Sequence, residues 1–208
     1  MKREVHSLKT PRPCGNDCVI RIVRTPDGCH RFGRGSFRAS SKKIWTQLRR
    51  DVIDFKTRNR RPPTDYTNAL LSFVYTILMN DVRSALESVG LDAYVGFLHR
   101  DRPGRASLAL DVMEELRGVV ADRFVLKIIN KKMITEKDLY QKENGAVYLM
   151  EDGKKKLIRA WQERKQESLT HPFLKEKINW GLVPHVQAML LARYLRGDLE
   201  EYPPFLWK

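Results

Sequence analysis

A chain of 208 residues that is 42% hydrophobic has room for one domain with a real core, with or without an appendage. Its 39 Lys/Arg against 25 Asp/Glu leave a net charge of +14, which is unusual for a small-metabolite enzyme and favours a polyanionic partner. No apolar run approaches the roughly 20 residues of a membrane span, and no apolar stretch follows Met1-Lys2-Arg3-Glu4, so neither a membrane segment nor a signal peptide is expected and a cytoplasmic home is the simplest.

The charge is uneven. Residues 1–50 hold 13 Lys/Arg and 3 Asp/Glu, whereas residues 51–208 hold 26 and 22. The division predicted is therefore a basic, poorly structured segment over 1–50 and a helical domain over 51–208. In the first part Pro11, Pro13, Pro26 and four glycines break the pattern, and Val19 to Val23 is the one short apolar run. Cys14, Cys18 and Cys29-His30 could in principle offer four soft ligands, but the spacing lacks the paired CxxC arrangement of a zinc ribbon or finger. An odd cysteine count also argues against a disulfide framework.

Helical spacing begins near Thr64-Asp65, a plausible cap after Pro62-Pro63. Ala69, Leu70, Phe73, Val74, Ile77, Leu78, Val82, Ala85 and Leu86 recur on one face, and Gly90 is a natural stop. A short apolar connection, Tyr94 to Leu98, leads to a polar loop over 100–105. A second long helix is predicted from near Ser107, with a buried stripe running from Leu110 to Ile129. Ile134-Thr135-Glu136 suggests a turn into a short helical piece, and Ala146 to Met150 reads as a strand or hairpin arm. A charged helix from about Lys154 to Ser168 and a last helix from about Pro184 to Arg196 complete the chain. The fold class predicted is mainly α, with four or five helices and a minor β element.

His99, Asp111 and Glu114 form the most informative group. Asp111 and Glu114 are three residues apart on a predicted helix and share a face, while His99 closes the preceding segment. One imidazole nitrogen and two carboxylates suit Mg²⁺ or Mn²⁺, and such a cation activates water or a DNA 3′-hydroxyl for phosphodiester attack. Acidic residues early in a helix also simply favour its dipole. Arg100, Arg102 and Arg105 would suit phosphate contacts beside such a centre, or form a solvated basic loop. Arg58, Arg60 and Arg61 could likewise track a DNA backbone or belong to a solvated linker. His171, His185, Arg193 and Tyr194 could line a cleft, or serve structural roles.

Several stretches occur in the order found in one known family. They include Arg58-Asn-Arg-Arg-Pro-Pro63, Asn68-Ala-Leu-Leu-Ser-Phe-Val-Tyr75, Val95-Gly-Phe-Leu-His99 and Ser107-Leu-Ala-Leu-Asp-Val-Met-Glu114. Thr170-His-Pro-Phe173, Pro184-His-Val-Gln187 and Tyr202-Pro-Pro-Phe205 follow. From residue 58 onward the chain resembles the C-terminal portion of the CRISPR-associated Cas-one (Cas1) family, in its type I-C branch. The resemblance implies a metal-dependent DNA endonuclease and integrase that inserts spacers into the CRISPR array. It also implies a homodimer, assembled with the Cas-two (Cas2) protein on protospacer and repeat DNA, with no membrane partner. His99 matches the family's metal-binding histidine, and the carboxylate ligand falls at Glu114, or at Asp111. The resemblance further implies an N-terminal β domain and a third ligand, a Glu upstream of the Asn-Arg-Arg-Pro-Pro run. Neither is found, since residues 5–50 contain no glutamate. The expectation is a truncated copy, weakly active or inactive, whose residues 1 to about 48 come from out-of-frame translation or a fused fragment. The alternative is a non-catalytic basic helical module that binds DNA or a partner.

Overall fold

A computed structural model describes Asn59 and residues 62–99 and 102–206. The proposed origin of residues 1–48, the three cysteines, and Arg58, Arg60, Arg61 and Arg100 lie outside the described residues.

The scaffold is α1, Tyr66–Ser88. Asp65 caps it, accepting from the Asn68 amide at 2.8 Å, and its apolar stripe is buried from Leu70 and Val74 through Leu78 and Val82 to Leu86. Gly90, at φ +81°, ends it in the left-handed conformation that a side chain disfavours. The helix α2, Ser107–Leu116, packs along α1. The second long helix expected from the sequence is interrupted: a π-helical turn, Arg117–Asp122, joins α2 to α3, Arg123–Asn130. The widened turn still buries Val120 and Ala121, so the core stripe continues past it.

Two small antiparallel hairpins follow. In the first, β1 (Leu139–Gln141) pairs with β2 (Val147–Leu149). The arm expected at 146–150 is thus real, and its partner strand adjoins the single turn Glu136–Asp138 read as a short helical piece. Then comes α4, Glu151–Gln166. The second hairpin, β3 (Ser168–Thr170) with β4 (Lys177–Asn179), carries one apolar residue per strand, Leu169 and Ile178, and so leaves no pattern in the sequence. A 3₁₀ turn at Trp180–Leu182 leads into α5, Val183–Leu195, which lies against α1 and α2. The fold is mainly α, as expected. No helix among the described residues is long and apolar enough to cross a membrane.

Candidate metal and phosphate site

Nothing in the side chain of Ala106 can cap α2. Two of the helix's first amides, those of Leu108 and Ala109, are satisfied by the carbonyl of Ala93, at 3.0 and 3.3 Å. The loop after α1 therefore folds over the start of α2. Gly96 allows the close approach: a Cβ there would sit 2.6 Å from the Cβ of Ser107 and 2.9 Å from Asp111 Oδ2.

Asp111 holds this loop. Its side chain is fully buried and accepts from the amides of Phe97 (2.7 Å) and Leu98 (3.0 Å) at Oδ2, and of His99 (3.1 Å) at Oδ1. The same Oδ1 lies 2.5 Å from His99 Nδ1. A carboxylate already receiving three N–H groups acts as an acceptor, so Nδ1 carries a proton toward it, and in the neutral ring the lone pair is on Nε2. The His99 side chain is 28% exposed, so the ring is anchored on one edge and accessible to solvent. Asp111 has the geometry of a partner that orients a histidine. Both its oxygens are engaged by this loop.

Glu114 lies one turn further along α2, on the same side as Asp111. It is 28% exposed, and both its oxygens face Arg117 Nη1, at 3.0 and 3.1 Å. Arg117 opens the π-helical turn, and its guanidinium lies 4.9 Å from the centre of the Tyr75 ring. Tyr75 in turn donates to Asp122 at 2.5 Å, at the other end of that turn. Burial, with Asp122 next to it, holds the Tyr75 phenol protonated far above its ordinary range. Arg117 is the residue that reading the sequence missed. Its only signal there is a position three residues after Glu114, which an ordinary surface pair would share.

Arg102 is exposed and Arg105 half-buried in a turn closed by the Arg105 amide on the Arg102 carbonyl, 3.0 Å, with Gly104 at φ +73°. Among the described residues, His99, Asp111 and Glu114 do not close into a cage: no group of three or more His, Cys, Asp or Glu side chains could hold a metal ion. What remains is the partly exposed imidazole of His99, anchored by Asp111, and the half-buried carboxylate of Glu114, one turn along α2 from Asp111. That set fits a hard divalent cation whose other positions are filled by water or phosphate oxygen.

Behind this face, Glu115 enters a sealed network. It is 2% exposed, and it accepts from the Tyr202 hydroxyl, from the Phe205 amide (2.9 Å) and from Gln187 Nε2 (3.2 Å). Gln187 Oε1 meets His171 Nε2 at 3.2 Å, while the amides of Phe173 and Leu174 reach His171 Nδ1. His171 is therefore a neutral, buried fastener, its pKa lowered by burial, and does not line a cleft. His185 lies instead at the α1–α5 contact, 3.1 Å from the Ser88 hydroxyl.

The model of the family described as CRISPR associated protein Cas1 matches residues 38–163. This chain belongs to the Cas1 family. The match begins inside the basic N-terminal segment and ends within α4. A Cas1 endonuclease of Rhodospirillum rubrum is 58% identical over 154 residues, which are 74% of this chain and 45% of that protein. The chain thus spans about half the length of the curated Cas1 relatives it matches. Among solved structures, a casposase bound to integration product superposes with a TM-score of 0.70 at 25% identity, over 80% of this chain and 50% of that one. A partial Cas6-RT-Cas1–Cas2 complex superposes at 0.64 and 25% identity, over 82% of this chain and 51% of that one.

Proposed function

We propose that this chain carries the C-terminal chemistry of a Cas1 DNA endonuclease/integrase, acting on phosphodiester bonds during spacer acquisition. One observation carries the reading: the buried Asp111 anchors the partly exposed ring of His99 through Nδ1, and Glu114 with its Arg117 stands one helical turn along α2 from Asp111. In this reading His99 and Glu114 hold Mg²⁺ or Mn²⁺. The cation would supply Lewis-acid polarisation of the phosphate and a more acidic attacking hydroxyl. Asp111 keeps the imidazole in the tautomer that can bind. With a cation on Glu114, Arg117 would be available to phosphate oxygens, for which its planar fork is suited. Arg102 and Arg105, with Arg58, Arg60, Arg61 and Arg100, contact the DNA backbone.

DNA and Cas2 are the partners proposed, supported by what the two superposed structures contain. A homodimer and the type I-C branch rest on the sequence resemblance. With two ligand side chains the ion is held weakly, so low activity is expected, at millimolar metal.

The test is Mn²⁺-dependent cleavage and strand transfer on branched DNA, with His99→Ala as control. Activity that disappears in the variant, with DNA binding kept, is the expected result. A second reading, a basic helical module that binds DNA without chemistry, is favoured by the lack of a three-ligand cluster among the described residues. In that case neither protein turns over and both bind DNA alike.

A further inference from the structure

The β1–β2 hairpin presents two different faces. Leu139 and Leu149 face each other in the register, Leu149 is buried, and Leu139 packs against the core. Because side chains alternate along a strand, the next pair, Tyr140 and Tyr148, turns to the opposite side. Their rings lie 5.9 Å apart with 32° between their planes, and they stay 41% and 37% exposed. A cross-strand aromatic pair steadies a hairpin, but this hairpin has other anchors. The Val147 amide donates to the Pro63 carbonyl and the Met150 amide to the Asp138 carbonyl, both at 2.8 Å.

Cations accompany the pair. Lys142 Nζ sits 5.1 Å from the centre of the Tyr148 ring and has no carboxylate partner among the described residues. Lys154, hydrogen-bonded to Glu151 at 2.6 Å, is also within electrostatic reach of Tyr140. Glu143 is the acid of the turn itself. The stretch 136–156 is charge-balanced, with five lysines and five acids, but the two exposed rings stand beside Lys142 and Lys154 and so offer an unpaired nucleic-acid strand faces for its bases to stack on and cations for its phosphates. The hairpin packs with the start of α1, whereas the His99 loop follows its end. The 23-residue helix, about 35 Å long, lies between the two.

We infer that Tyr140 and Tyr148, with Lys142, form a stacking platform for single-stranded or frayed DNA, at the far end of α1 from the candidate catalytic site. The inference rests on the DNA-handling reading above but not on its chemistry, since it is read by binding alone.

The experiment measures binding of fluorescently labelled single-stranded oligothymidylate, and of a duplex of equal length, to the full chain at low salt. Tyr140→Ala/Tyr148→Ala should lose about tenfold or more in single-strand affinity, with duplex affinity changed less than about twofold. Tyr140→Phe/Tyr148→Phe keeps the π-faces and should bind like the unaltered chain. Tyr140→Leu/Tyr148→Leu keeps apolar packing, which guards against mere unfolding of the hairpin, and should lose affinity like the alanine variant. If the leucine variant binds single strands as well as the unaltered chain, the pair is an apolar contact for a protein and the platform is overturned. Equal losses on single strand and duplex also overturn it. If the unaltered chain binds neither probe, the DNA-handling reading falls with it.

Discussion

Glu114 and Glu115 are neighbours on α2 and meet opposite surroundings. Glu114 is partly exposed, faces a guanidinium, and stands one turn from the residue that orients His99. Glu115 is sealed against neutral donors from Gln187, Tyr202 and Phe205. Burial pushes its carboxyl up to about 7, although those hydrogen bonds pull the other way. Arg117 gives Glu114 a charged partner at an accessible surface, where a cation can compete for it. Glu115 has hydrogen bonds without a countercharge, so its work is to fasten the segment from Tyr202 to Phe205 onto α2 and α5. The difference teaches that, on one helix, surroundings separate an acid available for chemistry from one used as structure.

The largest effect that would sharpen this comparison is expected at Glu114. Glu114→Gln should lower metal-dependent cleavage at least about a hundredfold, since even a residue that only supports a ligand costs 10–100-fold. Its melting temperature should move little, because the Glu114–Arg117 pair is only partly buried and Arg117 keeps its contact with Tyr75. A large drop in melting temperature would make Glu114 structural and break the contrast. Glu115→Ala should do the reverse. Leaving the Gln187 amide, the Tyr202 hydroxyl and the Phe205 amide without their acceptor costs about 3 kcal/mol, read as a shift in the denaturant midpoint.

The pH dependence comes next. A carboxyl whose folded pKa is raised stabilises the fold below its unfolded pKa, and that contribution is lost as pH rises through about 7. The contribution of Glu115 should fall by about 3 kcal/mol between roughly pH 4.5 and 8. Asp138, held below the usual carboxylate range first by its hydrogen bond to Lys156, works in the opposite sense. The clean observable is therefore the difference between the unaltered chain and Glu115→Gln. Parallel pH–stability curves would show that Glu115 is not the buried acid described. The smallest effect is Tyr202→Phe, which removes the hydrogen bond that Tyr202 donates to Glu115 and the one it accepts from Gln187 Nε2 and should cost about 2 kcal/mol in urea unfolding. No loss of stability would mean that Tyr202 holds through its ring alone.

Much of the fold was legible in the residue pattern. The stripe from Leu70 to Leu86, the Asp65 cap and the Gly90 stop are local signals, and α1 follows them. The π-helical turn was not legible, because a widened turn keeps enough of the apolar period to pass for continuous helix. Ser168–Thr170 was not legible because, unlike the apolar run Ala146 to Met150 that marked β2, it holds a single apolar side chain, Leu169, between polar residues. At the site, spacing placed Asp111 and Glu114 on one side of a helix. It could not tell which carboxylate was taken up by the amides of residues 97–99, since those donors come from a loop folded back over α2.

By itself the sequence determined the helical class, the basic character and the family, because these depend on composition, local periodicity and ordered motifs. Only the tertiary structure decided that Asp111 orients His99, that Arg117 faces Glu114 and that His171 and Glu115 belong to a sealed network. Each of these depends on which distant groups fill the hydrogen-bonding capacity of a side chain. That is a property of packing, and no spacing along the chain encodes it.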